Sequence, residues 1–162
     1  MTPSHYDVVI VTEGSSRTGR EVVRALARRG FAVVVVYLGA GAGAEAAVDE
    51  VLAAHGTALA VRADPTAALD VERLFTETAA VFGGVDVVVH AAPPAGPVVD
   101  GQAPRWLRRG GVIVGPAGPA ARDSAIDGGA DEAADLLAIV DRWRRARPSA
   151  VPAPTREPPG PG

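Results

Sequence analysis

The strongest constraint on this chain is an alternation. Short runs dense in valine are separated by longer stretches whose apolar residues recur at helical spacing. A strand that is apolar on both faces needs cover on both faces, and a parallel sheet wrapped by helices provides it. DVVIVT (Asp7 to Thr12) is the first such run, and GREVVRALARRG follows it with Val22, Val23, Leu26 and Ala27 on one helical face and Gly30 as the stop. FAVVVVYL (Phe31 to Leu38) is the second strand, followed by a helix ending at Gly56. TALAVRAD gives the third strand. The next helix is opened by Pro65, carries Leu69, Leu74, Ala79 and Phe82, and stops near Gly83. VDVVVHAA is the fourth strand and GGVIVG the fifth, and a last helix runs from about Asp131 to Arg147. The expectation is an α/β fold with one doubly wound, Rossmann-type parallel sheet of five strands in the order 3-2-1-4-5.

The length of 162 residues suits one domain, expected over 1–147. Residues 148–162 hold six prolines and two glycines, so the expectation there is a disordered tail. A net charge of −3 provides no field for nucleic acid or anionic lipid, and neither is expected as a partner. MTPSHYDVVIV lacks the charged start and long apolar stretch of a signal peptide, and the chain has no apolar run long enough to span a membrane. With no cysteine there is no disulfide framework, thiol nucleophile or Cys-based metal site. The expected location is the cytoplasm. All 16 basic residues are arginine, so no mechanism within this chain can use a lysine ammonium group.

From Val8 to Ala92 the chain resembles the short-chain dehydrogenase/reductase family. The resemblance rests on VVIVTEGSSRTGREVVRALARRGFAVVVVY, on VRAD at the end of the third strand, and on LFTETAAVFGGVDVVVHAA, with a fainter echo in RWLRRGGVIVGPAG. It implies an NAD(P)-binding fold. The family's TGxxxGxG loop, laid on Thr12 to Gly19, meets Glu13 and Arg17 at its first two glycine positions and a glycine only at Gly19. Those glycines allow a tight turn, close backbone approach to a pyrophosphate, and close helix–strand packing. A side chain forced to positive φ costs roughly 1–2 kcal/mol. A carboxylate about 4 Å from a phosphate adds repulsion of up to ~4 kcal/mol. Arg17 is placed to offset this with a charge-assisted bond.

The resemblance places Thr12, Gly14, Ser15, Ser16, Arg17 and Gly19 in a cofactor loop, with Tyr37 at the end of the second strand. It assigns Asp64 to the adenine, although Asp64 is also placed to cap the helix behind Pro65. His90 and Ala91 begin HAAP where the family has NNAG. With no acidic residue after the second strand to hold a ribose hydroxyl, NADP is favoured over NAD. His90 is the one candidate acid or base, with a partly buried histidine filling the missing asparagine's space as its alternative. His5, His55 and the arginines at 105, 108, 109, 142, 144, 145 and 147 read as solvated groups.

The family's chemistry uses a Ser, a Tyr-x-x-x-Lys pair and an Asn on its fourth helix, the tyrosine exchanging the proton that accompanies hydride transfer. Here the tyrosines are Tyr6 and Tyr37 and lysine is absent. Only thirteen residues, Ala92 to Pro104, separate the fourth strand from the helix end before the fifth, so the helix that carries the Asn and the usual pairing face reads as largely deleted. GPAG (Gly115 to Gly118) occupies the place of the catalytic serine, with Ser124 beyond it. Three functions remain in view. One is a dinucleotide binder without standard catalysis. Another is an NADP-dependent oxidoreductase completed by a second copy or a full-length family member, or using His90. The third is a non-enzymatic interaction module.

Overall fold

The computed structural model describes residues 6–92, 96–115 and 132–147. The proline-rich tail, His5 and Ser124 lie outside them. The strands are β1 (Val8–Thr12), β2 (Ala32–Tyr37), β3 (Thr57–Arg62), β4 (Val85–His90) and β5 (Leu107–Val114). They form one sheet in the order 3-2-1-4-5, and every pairing is parallel. The helices are α1 (Arg17–Arg28), α2 (Ala42–Ala53), α3 (Ala68–Phe82), α4 (Pro97–Trp106) and α5 (Glu132–Ala146).

The valine runs behave as their composition demands. β1 is buried at every position, so its odd and even residues feed two separate cores. Val9, Val11, Val33, Val35, Val87 and Val89 pack under α1, α2 and α5. Ile10, Val34, Val36 and Val88 pack under α3 and α4. The helix turned inward at α3 uses Val71, Leu74, Phe75 and Thr78, whereas Leu69 is 80% exposed. The expected stripe through Leu69 is therefore displaced onto the neighbouring face. Gly30 and Gly83 end their helices at φ near 85°. At the end of α2 the left-handed residue is His55 (φ 62°) rather than Gly56. Gly56 is retained because a Cβ there would stand 2.8 Å from Val51 Cγ1.

The structure also differs from the sequence reading before β5 and at Arg108, and at Arg144 and Arg147, which were expected to be solvated and instead bind Asp7. The helix expected to be nearly absent before β5 is a ten-residue α4 opened by Pro97, and β5 begins at Leu107. Arg108 is also no solvated helix end. Its guanidinium donates to Asp86 Oδ2 (2.8 Å), Phe82 O (3.0 Å) and Tyr6 O (3.3 Å). Asp86 is 2% exposed and accepts from the Val8 amide as well (2.8 Å). The ion pair and its extra hydrogen bonds offset the desolvation of a buried carboxylate and tie β1, β4 and β5 together at their amino ends.

α5 is held to the sheet by arginines. Arg29 makes a two-pronged bond to Asp141 (2.9 and 3.0 Å), Arg144 and Arg147 reach Asp7, and Trp143 Nε1 donates to Gly110 O (2.8 Å). The hydrogen bond from Arg29 is the first cause that holds the Asp141 carboxyl below its ordinary 3.8. A carboxyl whose folded value is depressed stabilises the fold above that ordinary value and loses the contribution as pH falls through the lowered one. We therefore expect α5 to loosen on acidification below pH 3.8, read as a change in Trp143 fluorescence in a Trp106→Phe background. Asp141→Asn should weaken α5 docking at neutral pH and shrink the acid response.

Candidate functional site

The strand order reverses direction at β1 and β4. From its carboxyl end β1 leads into α1 on one face, and β4 leads into α4 on the other. Ligands of open α/β sheets bind in the crevice this leaves. Thr12 pairs in register with His90 at that point, and the Ala91 amide extends the ladder to Thr12 O (3.4 Å).

The β1–α1 turn is tightly closed. Gly14 N donates to Val36 O (3.1 Å) and Ser16 N to Glu13 O (3.0 Å). A Cβ on Gly14 would lie 2.6 Å from Val35 Cγ1, and one on Gly19 would lie 2.8 Å from Gly14 Cα while driving into the Glu13 carbonyl. Both glycines are therefore fixed by close approach. Glu13 takes the left-handed conformation (φ 53°) that the family's glycine would adopt freely, and its side chain is exposed. The strain expected from the sequence is present. Ser16 caps α1, its hydroxyl accepting from Gly19 N (3.0 Å). Among the described residues the Arg17 and Thr18 amides of the same first turn receive no acceptor. The Arg17 side chain is 96% exposed with its Nε 3.9 Å from Glu21, so it does not fold over the loop.

Tyr37, Ser15 and the start of α2 meet beside this turn. A Cβ on Gly41 would lie 3.2 Å from the Tyr37 ring, and one on Gly43 3.5 Å from Ser15 Cβ. The first turn of α2 has no side-chain cap. Asp64 does not cap α3, which begins four residues later. Its Oδ1 instead accepts from the Thr66 amide (2.9 Å) and hydroxyl (2.6 Å), and those bonds lower its pKa. Ala63 N donates to Tyr37 O (3.1 Å), which keeps Asp64 at the same end of the sheet. The sequence-designated residues are therefore gathered along one edge, with only Arg17 turned away.

Below this edge is a group that the sequence did not reveal as a unit. His90, 2% exposed, contacts Thr12 Oγ1 through Nδ1 (2.8 Å) and Asp100 Oδ1 through Nε2 (2.7 Å). A carboxylate can only accept, so Nε2 carries a hydrogen. Asp100 was hidden because it lies in the stretch read as a deletion, and no spacing rule links it to His90. The space around the ring is made by Gly96 and Gly115, whose Cβ atoms would stand 3.7 and 3.5 Å from it. His90 is thus more deeply buried than the partly buried, space-filling residue expected, and it is hydrogen-bonded on both sides.

Known proteins resemble the chain over this same region. Residues 15–108 match the family described as enoyl-(acyl carrier protein) reductase. An uncharacterized oxidoreductase of Methylorubrum extorquens is 41% identical over 83 residues, covering 51% of this chain and 34% of that protein. The 3-oxoacyl-[acyl-carrier-protein] reductase of Synechocystis is 37% identical over 92 residues, 57% of this chain and 37% of its own. The matched segment spans about a third of the length of these relatives. Among solved structures, a short-chain dehydrogenase/reductase of Serratia marcescens aligns with a TM-score of 0.63 and 26% identity, over 86% of this chain and 66% of that one. A dehydrogenase/reductase of Sinorhizobium meliloti aligns with a TM-score of 0.62 and 28% identity, over 84% and 63%.

Replacing Thr12 with valine removes the one partner that a buried ring nitrogen has among the described residues, while keeping the side chain's shape. Thr12→Val should cost about 1–3 kcal/mol, and Thr12→Ser should recover most of it, as measured by urea unfolding midpoints.

Proposed function

Because this chain belongs to the short-chain dehydrogenase/reductase family, we propose that it binds a pyridine dinucleotide, NADP in preference to NAD, without performing the family's standard catalysis on its own. The observation that carries this reading is the β1–α1 turn. Gly14 and Gly19 are held in a close-packed turn, and the Arg17 and Thr18 amides at the start of α1 are without acceptors among the described residues. A helix start of that kind attracts a diphosphate. Thr12, Gly14, Ser15, Ser16 and Gly19 would cradle it, with Asp64 toward the adenine and His90 and Ala91 along the far wall. Tyr37 in place of an acidic residue, beside the uncapped start of α2, supports NADP. When bound, the nicotinamide would supply a hydride donor or acceptor.

The chain's own groups do not complete that reaction in the family's way. There is no lysine or asparagine in the sequence. Tyr6 lies at the amino end of β1, where its carbonyl accepts from Arg108, and Tyr37 packs on Gly41.

A second reading, in which another subunit completes the site, is supported by a groove between α3 and α4. Ala68, Leu69, Glu72, Gln102, Arg105 and Trp106 line about 340 Å³ there. Leu69 stands out at its rim. A second copy or a full-length family member is the partner class that this reading implies.

Titration with NADPH, followed by its fluorescence, tests the proposal. The wild-type protein should bind weakly and saturably. Glu13→Gly should tighten binding about 5- to 10-fold, roughly 1–1.4 kcal/mol, by removing a carboxylate from the loop. Because Arg17 points to solvent, Arg17→Gly should change affinity far less. Undetectable binding by the wild type and by both variants would contradict the proposal.

A further inference from the structure

We propose that His90, held between Thr12 and Asp100, is the cationic element of the anion site, so that dinucleotide binding takes up a proton from solvent onto His90 Nδ1. This inference rests on the dinucleotide reading above and adds how the site manages charge.

Hydrogen-bond inventory leads to it. With Nε2–H committed to Asp100, a neutral ring offers Nδ1 as a lone pair, and the Thr12 hydroxyl must donate to it. In the imidazolium both nitrogens donate. Thr12 Oγ1 then becomes an acceptor, and its own hydrogen is released for another oxygen. Thr12 is the last residue of β1 and the chain enters the Glu13 turn directly after it. Protonation therefore supplies a donor and a positive charge together, at the base of the loop that would hold a diphosphate.

Among the described residues, the two arginines of the first turn of α1 do not provide that charge. The chain has no lysine. Arg17 extends into solvent near Glu21, and Arg20 is paired with Glu50 (3.0 Å). The charged side chains nearest the ring in the fold are acidic. Asp100 of α4 touches it directly, and Glu13 follows Thr12 beyond β1. The other charged side chain of α4, Arg105, belongs to the groove against α3. Arg108 and Arg109 of β5 lie at that strand's amino end, where Leu107 pairs with Val85, and Gly115 is what β5 brings to the ring. The buried Asp86 is at the same distant end of β4, bound to Arg108. Asp100 has a 40% exposed side chain, which connects the buried ring to solvent.

Linkage gives the sign. If the ligand favours the protonated ring, affinity rises as pH falls through the range in which imidazole changes charge. The test is a calorimetric titration with NADP⁺ at pH 6, 7 and 8 for the wild type, His90→Asn and Asp100→Asn, repeated in buffers of different ionisation enthalpy. The 2′-phosphate titrates near pH 6 as well, but this is common to all three proteins and cancels between them. Wild-type affinity should rise about 5- to 10-fold more than that of His90→Asn between pH 8 and pH 6. Buffer dependence should show proton uptake by the wild type beyond that of His90→Asn. Asp100→Asn, a change at a partly exposed position, should reduce both effects even if His90→Asn folds poorly. Binding with the same pH slope in all three proteins and no excess proton uptake would overturn this inference and leave the dinucleotide reading standing. No binding at any pH would overturn both.

Discussion

The structure depends on β1. All five of its residues are buried, it is paired in parallel on both edges, and both cores are built on its two faces. A strand in that position can have no polar side chain that lacks a partner. The one it has, Thr12, is bonded to His90, and its first amide is bonded to Asp86. The crevice follows from the same constraint. Because β2 and β4 flank β1 on opposite edges and their connections leave on opposite faces, the loops at the carboxyl ends separate there. Thr12, the β1–α1 turn, His90 and Ala91 border that gap.

The loop that lines the gap shows opposing pressures. Gly14 and Gly19 are confined by contacts that any side chain would violate, so they are fixed by packing whether or not a ligand binds. Glu13 keeps the left-handed backbone and pays for it in strain. The tight turn has thus been kept while a carboxylate has been added where the family has a neutral glycine. A lysine-free chain has few means of restoring that balance. The bonded set of Thr12, His90 and Asp100 is placed to do so from below the loop.

The parts that could be read from the sequence were those governed by periodicity. The valine runs and the apolar faces of α1 gave the sheet and its order, because burial on both sides of a strand leaves few other arrangements. The turn from Thr12 to Gly19 was recognisable, including the strain at Glu13, because only glycine adopts that conformation without cost. What could not be read depended on contacts between distant segments. Asp86 interrupts a valine run and finds its partner, Arg108, twenty-two residues away. Asp100 reaches His90 from a helix whose proline and glycine content disguised it. Arg17 was assigned to a phosphate from its position in a motif, yet as the first residue of α1 it points outward.

The central claim is that the crevice at the carboxyl ends of β1 and β4 is a dinucleotide site. The most direct test is an amide-resolved NMR titration of ¹⁵N-labelled protein with NADP⁺. The account predicts that the largest shifts fall on the Arg17, Thr18 and Gly19 amides, with smaller ones at Tyr37 and Ala91. Shifts confined to Leu69, Gln102 and Trp106 in the groove between α3 and α4, or no shifts at saturating ligand, would contradict it.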